Sequence, residues 1–341
     1  MNKFNHFVGI DISKKTFDAA LIIGSDTTNI KHQVFNQNAA GFAAFSQWLD
    51  HYSITKDEVL ICMEHTGLYT YGLIDFLIAA GLNLWVEMPL RIKRSMGLQR
   101  GGDDKAAAIQ IALYTYRYKD QVSLWKPEQA IVLQLRQFSA QRDRLKLALN
   151  QLMIPLQEIA DCYHDAAIVK VQLKLQAPVI KAIEKSIASI ETQIDKLIAA
   201  EPAIQATIAR VSSIKGVGKQ TAIHVFIYTK GFTTFSSAKQ LASYCGVVPF
   251  TKTSGTSVRY KTQVSPFANK HLKKLLHLCA MAAIQHNDEI KQYYNRKVAE
   301  GKNKMSVVNA VRNKLVQRIF AVVRDERNYV ENYHYQRAYR K

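Results

Sequence analysis

The chain has 341 residues, 48% of them hydrophobic and 21% charged, which is the balance of a water-soluble globular protein with two or three domains. It contains no run of 18 apolar residues, its first segment MNKFNHFVGIDIS lacks the long apolar core of a secretory signal, and its four cysteines (Cys62, Cys162, Cys245, Cys279) form no CxxC pair. These features exclude a membrane-spanning helix, an exported disulfide scaffold and a zinc ribbon. The net charge of +19 is unevenly spread: residues 1–120 hold 12 basic and 12 acidic side chains, residues 121–200 hold 10 and 8, and residues 201–341 hold 24 and 7. A basic final third of this size points to a polyanionic partner, DNA or RNA.

In chain order, residues 6–125 read as α/β. HFVGIDISKKTFDAALII is a strand, a tight turn and a second strand. HQVFNQNAAGFAAFSQWLDHY gives a third strand and an amphipathic helix, and EVLICMEHTG a short apolar strand. LYTYGLIDFLIAAG is a helix stopped by Gly81, LNLWVEMP a strand closed by Pro89, and residues 100–118 a helix. Three successive strands followed by alternating helices and strands is the order of a ribonuclease-H-like fold.

Residues 126–201 differ. Pro127 can open a helix. Leu145, Leu149, Leu152, Leu156 and Ile159, and then Ile180, Ile183, Ile187, Ile190, Ile194 and Leu197, recur at heptad spacing on either side of DCYHDAA. That predicts two long helices, a coiled-coil spacer within the chain or between chains, or ordinary helices on a core. Pro155 and Pro178 should kink these helices or start new ones. No functional site is expected in this region.

Residues 202–341 read as mostly helical, with helices at 268–285 and 303–325. In SSIKGVGKQTAIHVFIY, Gly216 and Gly218 sit before a helix as in a helix–hairpin–helix motif, where backbone amides approach a phosphate and Lys215 and Lys219 add charge; a plain glycine turn is the alternative. YCGVVPFTKTSGTSVRYKTQVSP is turn-rich.

Two sets of residues can carry chemistry. Asp11 on one apolar strand, Glu64 at the end of another and Asp104 at a helix start can converge on Mg²⁺ or Mn²⁺, which favour hard oxygen ligands. Each has a plainer reading: Asp103 or Asp104 as a helix cap, Asp11 as a hydrogen-bonded core acid. The second set is Ser254 beside Gly255, with Lys252, Arg259 and Lys261 to attract a phosphate; Ser257 is the other possible nucleophile, and most such serines only make turn hydrogen bonds. The histidines offer little: His65 follows Glu64 and could touch the metal site, but a lone histidine is more often structural. The tail NYVENYHYQRAYRK suits base stacking or a solvated end.

VGIDISKKTFDAAL, MEHTGLY, RGGDDKAAAIQIALYTYR, IKGVGKQTA and GVVPFTKTSGTSVRYKTQVS, in this order, resemble the IS110 (IS-one-ten) insertion-sequence transposases, also called DEDD transposases or bridge-RNA-guided recombinases. The resemblance implies a RuvC-like N-terminal domain (1–125), a coiled-coil spacer for dimerisation (126–201) and a C-terminal domain with a catalytic serine (202–341). It implies strand cutting and rejoining on target and donor DNA through a phosphoserine bond. It also implies Mg²⁺ on an acidic cluster, a structured non-coding guide RNA, a homo-oligomer (dimer or tetramer), and action in the bacterial cytoplasm at the nucleoid. Residue by residue, the acidic ligands fall on Asp11, Glu64 and Asp104, and the serine on Ser254.

One position departs from the family pattern. In D-x-x-D-A-x-x-I-A, Ile111 and Ala112 align the fourth acid with Ala107. We read this as loss of a metal ligand, by deliberate substitution or natural divergence, and the chain as an inactivated variant. A RuvC-like nuclease using water, and a non-catalytic nucleic-acid-binding protein, are the competing readings.

Overall fold

The computed structural model describes residues 4–64, 67–97, 102–162, 166–250, 253–254, 258–259 and 263–331. The chain forms two compact units, Met1–Pro127 and Glu128–Lys341.

The first unit is built on β1 (His6–Ile12), β2 (Thr16–Ile23), β3 (Lys31–Asn36), β4 (Val59–Glu64) and β5 (Asn83–Glu87). They form one mixed sheet in the order β3-β2-β1-β4-β5, with β1, β2 and β3 antiparallel and β4 and β5 parallel to β1. The strand alternation sorts side chains to two faces. Val8, Ile10, Phe17, Ile61 and Met63 face one core, shared with Phe45 and Trp48 of α1 (Ala39–His51) and Leu73 and Leu77 of α2 (Tyr71–Ala79). Phe7, Ala20, Leu60, Cys62 and Trp85 face the other, covered by Ala108, Ile111 and Ala112 of α4 (Asp104–Arg117). Pro89 closes β5 and opens α3 (Pro89–Ser95), a short helix that the sequence reading does not contain.

Gly9, in the middle of β1, sets how α4 lies. A Cβ there would stand 2.1 Å from the Ala112 amide nitrogen and 2.3 Å from the Ala108 carbonyl oxygen. Helix backbone therefore rests on strand backbone, with no side chain between them.

The second unit begins with α5 (Ala130–Cys162) and α6 (Ala166–Ala199), two consecutive helices packed against each other and cross-linked by Arg142 Nε to Glu191 Oε1 at 2.7 Å. The expected kinks or helix starts at Pro155 and Pro178 give no new helix: each proline lies inside a continuous helix. Loss of one amide bond at each is outweighed by the apolar seam, whose heptad positions are all buried or half-buried. Leu135 of α5 and Ile190, Ile194 and Ile198 of α6 join one core with α7 (Pro202–Ser212), α8 (Lys219–Tyr228), α9 (Ala238–Tyr244), α10 (Lys270–His286), α11 (Asp288–Ala299) and α12 (Lys304–Arg324). Four two-residue strands lie between α9 and α10: β6 (Pro249–Phe250) pairs with β9 (Gln263–Val264), and β7 (Thr253–Ser254) with β8 (Val258–Arg259).

Candidate active site

The acids of the first unit collect at one end of one sheet face. Asp11 and Asp18 are Cα partners across the β1–β2 hairpin, and Glu64 and Glu87 are Cα partners at the ends of β4 and β5. β1 and β4 run parallel with Ile10 opposite Met63, so Asp11 and Glu64 follow side by side. By period-2 alternation, Asp11 follows Phe7 and Gly9, and Glu64 follows Leu60 and Cys62, onto the face covered by α4. Asp18, Asp11, Glu64 and Glu87 thus form a row across four strands. Asp104 joins it because α4, docked at Gly9, begins one turn before Ala108.

The row divides by electrostatic environment. Asp18 accepts a hydrogen bond from His32 Nε2 at 2.7 Å. Glu87 is buried and bound by Arg91 at 3.0 Å, by the Tyr114 hydroxyl at 3.1 Å and by the Met88 amide at 2.8 Å. The phenol of Tyr114 is pushed upward, first by burial and then by the Glu87 charge. Asp11 and Glu64 have no such close cationic partner among the described residues. Burial raises the pKa of Asp11, and the negative charges of Asp104 and then Asp18 add to the rise; the Ile12 amide and Lys93 act against it. Burial also raises Glu64, where Lys93 opposes and Asp11 reinforces the shift. Lys93 on α3 is thus a cation whose charge both acids feel.

In donor type, though not by any short separation of its oxygens, this row suits a divalent cation. Partly buried carboxylates that repel one another gain most from a small ion of opposite charge, and all-oxygen donors suit Mg²⁺ or Mn²⁺. Asp103 is the helix cap, accepting from the Ala106 amide at 2.7 Å, which leaves Asp104 in the first turn of α4. Ala107 is half-buried one turn further on, its amide bonded to the Asp103 carbonyl at 2.9 Å. It offers the cluster no ligand.

The second unit carries the other predicted residues. Ser254 stands on β7 opposite Val258, and Arg259 on β8 opposite Thr253. Lys252, Gly255, Ser257 and Lys261 lie outside the described residues, as does His65. Gly216 has φ +92°, and a Cβ there would meet the Ala283 amide nitrogen at 2.7 Å, so packing against α10 alone demands a glycine. Gly218 is the N-cap of α8 and has open space around it. Lys215 is bound to Glu331 at 2.7 Å and Lys219 to Asp195 at 2.7 Å. Sequence reasoning missed Asp18 and Glu87. Asp18 was accessible to it, because a hairpin turning at 13–15 pairs residue 18 with residue 11.

Two family models match. One described as a transposase, of the IS110 DEDD type, covers residues 8–164, and one described as "Transposase IS116/IS110/IS902 family" covers residues 208–295. The chain is 26% identical over 332 residues to the "Pilin gene-inverting protein" of Moraxella lacunata and, equally, to that of Moraxella bovis, spanning 96% of this chain and 98% of each relative. It is 30% identical over 146 residues to the "Insertion element IS110 uncharacterized 43.6 kDa protein" of Streptomyces coelicolor, spanning 43% of this chain and 35% of that protein. Models over parts of both units, and two relatives aligned nearly end to end, place the chain in the IS116/IS110/IS902 family of transposases, a family of DNA-recombining enzymes.

Proposed function

We propose that the chain is built as an RNA-guided DNA transposase whose acidic cluster and serine act together on a phosphodiester. The observation that carries this reading is the placement of Asp11, Glu64 and Asp104 at one end of the α4-covered face, where burial disfavours the ionised forms of Asp11 and Glu64 and the Asp104 charge adds to the effect at Asp11. The strand order β3-β2-β1-β4-β5 supports a RuvC-like catalytic unit over 1–125, followed by a coiled-coil spacer (126–201) and a C-terminal transposase domain (202–341).

Asp11, Glu64 and Asp104 would hold Mg²⁺ or Mn²⁺, which when bound neutralises charge on the phosphate being displaced. The Ser254 hydroxyl attacks phosphorus; a P–O(Ser) bond forms, the strand's P–O bond breaks, and the leaving oxygen takes a proton. An incoming strand hydroxyl reverses the step and frees the serine. Arg259, Lys252 and Lys261 attract the phosphate, and Gly216 and Gly218 with Lys215 and Lys219 bind the backbone further along. Target and donor DNA are selected by a structured guide RNA, on a homo-oligomer (dimer or tetramer) acting in the bacterial cytoplasm at the nucleoid.

Ala107 removes the fourth carboxylate and impairs the reaction without disturbing the fold, because it sits in a fully formed helical turn. Restoring it, Ala107→Asp, with the element's RNA and both DNAs, is expected to yield Mg²⁺-dependent recombination; continued inactivity refutes the assignment of position 107. Ser254→Ala in that background should abolish the protein–DNA adduct on denaturing gels. An adduct that persists indicates Ser257, and cleavage without any adduct indicates a nuclease that uses water.

A further inference from the structure

Away from the acidic row, the second unit holds a separate group of side chains of metal-ligating type. Asp143 on α5, His224 on α8 and His271 on α10 bring one carboxylate oxygen and two imidazole nitrogens within 4.8 Å of one another. Asp143 Oδ2 lies 3.3 Å from His224 Nε2 and 3.6 Å from His271 Nε2. From these contacts we propose a second metal site in the C-terminal unit, Asp143–His224–His271, which takes one first-row transition ion of the Zn²⁺ class and leaves its fourth position open.

Three features favour an ion over a hydrogen-bonded network. The spacing is the first. Tetrahedral bonds of about 2.0–2.1 Å place ligand atoms about 3.3–3.4 Å apart, close to the separations found, whereas a carboxylate–imidazole hydrogen bond closes to about 2.8 Å. The second is His271 Nε2, which is shielded from water and has no hydrogen-bond partner among the described residues. A buried imidazole nitrogen left in that state is costly, and a cation would satisfy it. The third is the support around the ligands. His224 is 7% exposed at its side chain, and the two rings lie 4.5 Å apart, so ring orientations are fixed by packing. The second Asp143 oxygen faces Arg142 at 3.4 Å, and Arg142 is itself anchored on Glu191 at 2.7 Å, which aims the other oxygen at the histidines.

Two imidazoles and one carboxylate select Zn²⁺, Co²⁺ or Mn²⁺ over Mg²⁺, so this site would be chemically distinct from the all-carboxylate cluster. Its ligands come from three helices. An occupied site would fasten the long helix α5 to α8 and α10, and present a polarised water or a substrate oxygen at the open position.

The test uses the full chain, purified without a histidine tag, stripped with chelator and kept in excess Mg²⁺ to cover the acidic cluster. Titration with Co²⁺ should give one equivalent with the visible spectrum of a tetrahedral site, displaced by Zn²⁺. Asp143→Asn and His271→Ala should each weaken Zn²⁺ binding by about 100-fold or more with unchanged circular dichroism, while Asp11→Asn leaves it intact. No saturable binding, or binding untouched by both substitutions, overturns the proposal. Should a variant misfold, X-ray absorption of Zn²⁺ on the unsubstituted chain decides: two imidazole ligands support the site, and an all-oxygen shell refutes it.

Discussion

The two units distribute charge in opposite ways. Residues 1–120 carry no net charge, yet five acids gather at one end of one sheet face, and three of them, Asp11, Glu64 and Asp104, have no close counter-charge among the described residues. Residues 201–341 carry 24 basic against 7 acidic side chains, yet Lys215, Lys219 and Arg318 are each held by a carboxylate at 2.6–2.7 Å. Net charge therefore says what a region attracts, whereas register and burial say where it can do chemistry.

The largest expected effect tests the geometry that assembles the acids. Gly9→Ala should cost the first unit about 4 kcal/mol or more, because the new methyl meets helix backbone that cannot move aside. All three tryptophans (Trp48, Trp85, Trp125) lie in that unit, so denaturation followed by tryptophan fluorescence reads it selectively. Gly218→Ala in the second unit, where a methyl meets nothing, should be nearly silent. A silent Gly9→Ala would mean that α4 does not rest on β1.

Next, the row should split into acids that stabilise and acids that do not. Glu87→Ala should destabilise by about 2–4 kcal/mol, since Arg91 and the Tyr114 hydroxyl lose their partner. Asp11→Asn should act in the opposite sense, raising the melting temperature in chelator and abolishing the gain that Mg²⁺ gives the unsubstituted chain. The pH dependence follows from the direction of the shifts. Asp11 and Glu64 keep their protons to higher pH folded than unfolded, so in chelator the folded unit binds more protons through that window. Its stability falls as pH rises above about 4, and Asp11→Asn should flatten the slope.

The smallest effect concerns the second unit. Lys215→Ala should leave the melting temperature unchanged, because its pair with Glu331 is exposed. It should lower the salt dependence of DNA binding by about one counterion if the lysine exchanges Glu331 for a phosphate. An unchanged slope would assign Lys215 to the ion pair alone.

Most of the first unit was legible because its signals are local. The hairpin, the apolar strand ending in Glu64 and the capped start of α4 each follow from a few neighbouring residues. Pro89 misled because one proline both ends β5 and opens α3, and only the first role shows in the pattern LNLWVEMP. No new helix starts at Pro155 or Pro178, because tertiary burial along a long seam outweighs a local helix breaker. α11 also escaped the reading, since its polar sequence buries only Ile290. The spacing of the histidines along the sequence gives no sign of the group they join in the second unit. Asp143, His224 and His271 are brought together by three helices distant in sequence, and no periodicity announces them.

The contact of α4 on Gly9 bears on how this fold can diverge. Where two elements meet through side chains, their separation drifts as those side chains are exchanged. Here it is fixed by main chain against main chain, at a residue that has no larger substitute. Much of the surrounding core can turn over while the offset between Asp11 and Asp104 stays the same. A lineage can therefore lose a carboxylate at position 107 and later regain it by substitution at that one position, without rebuilding the scaffold that aims the others.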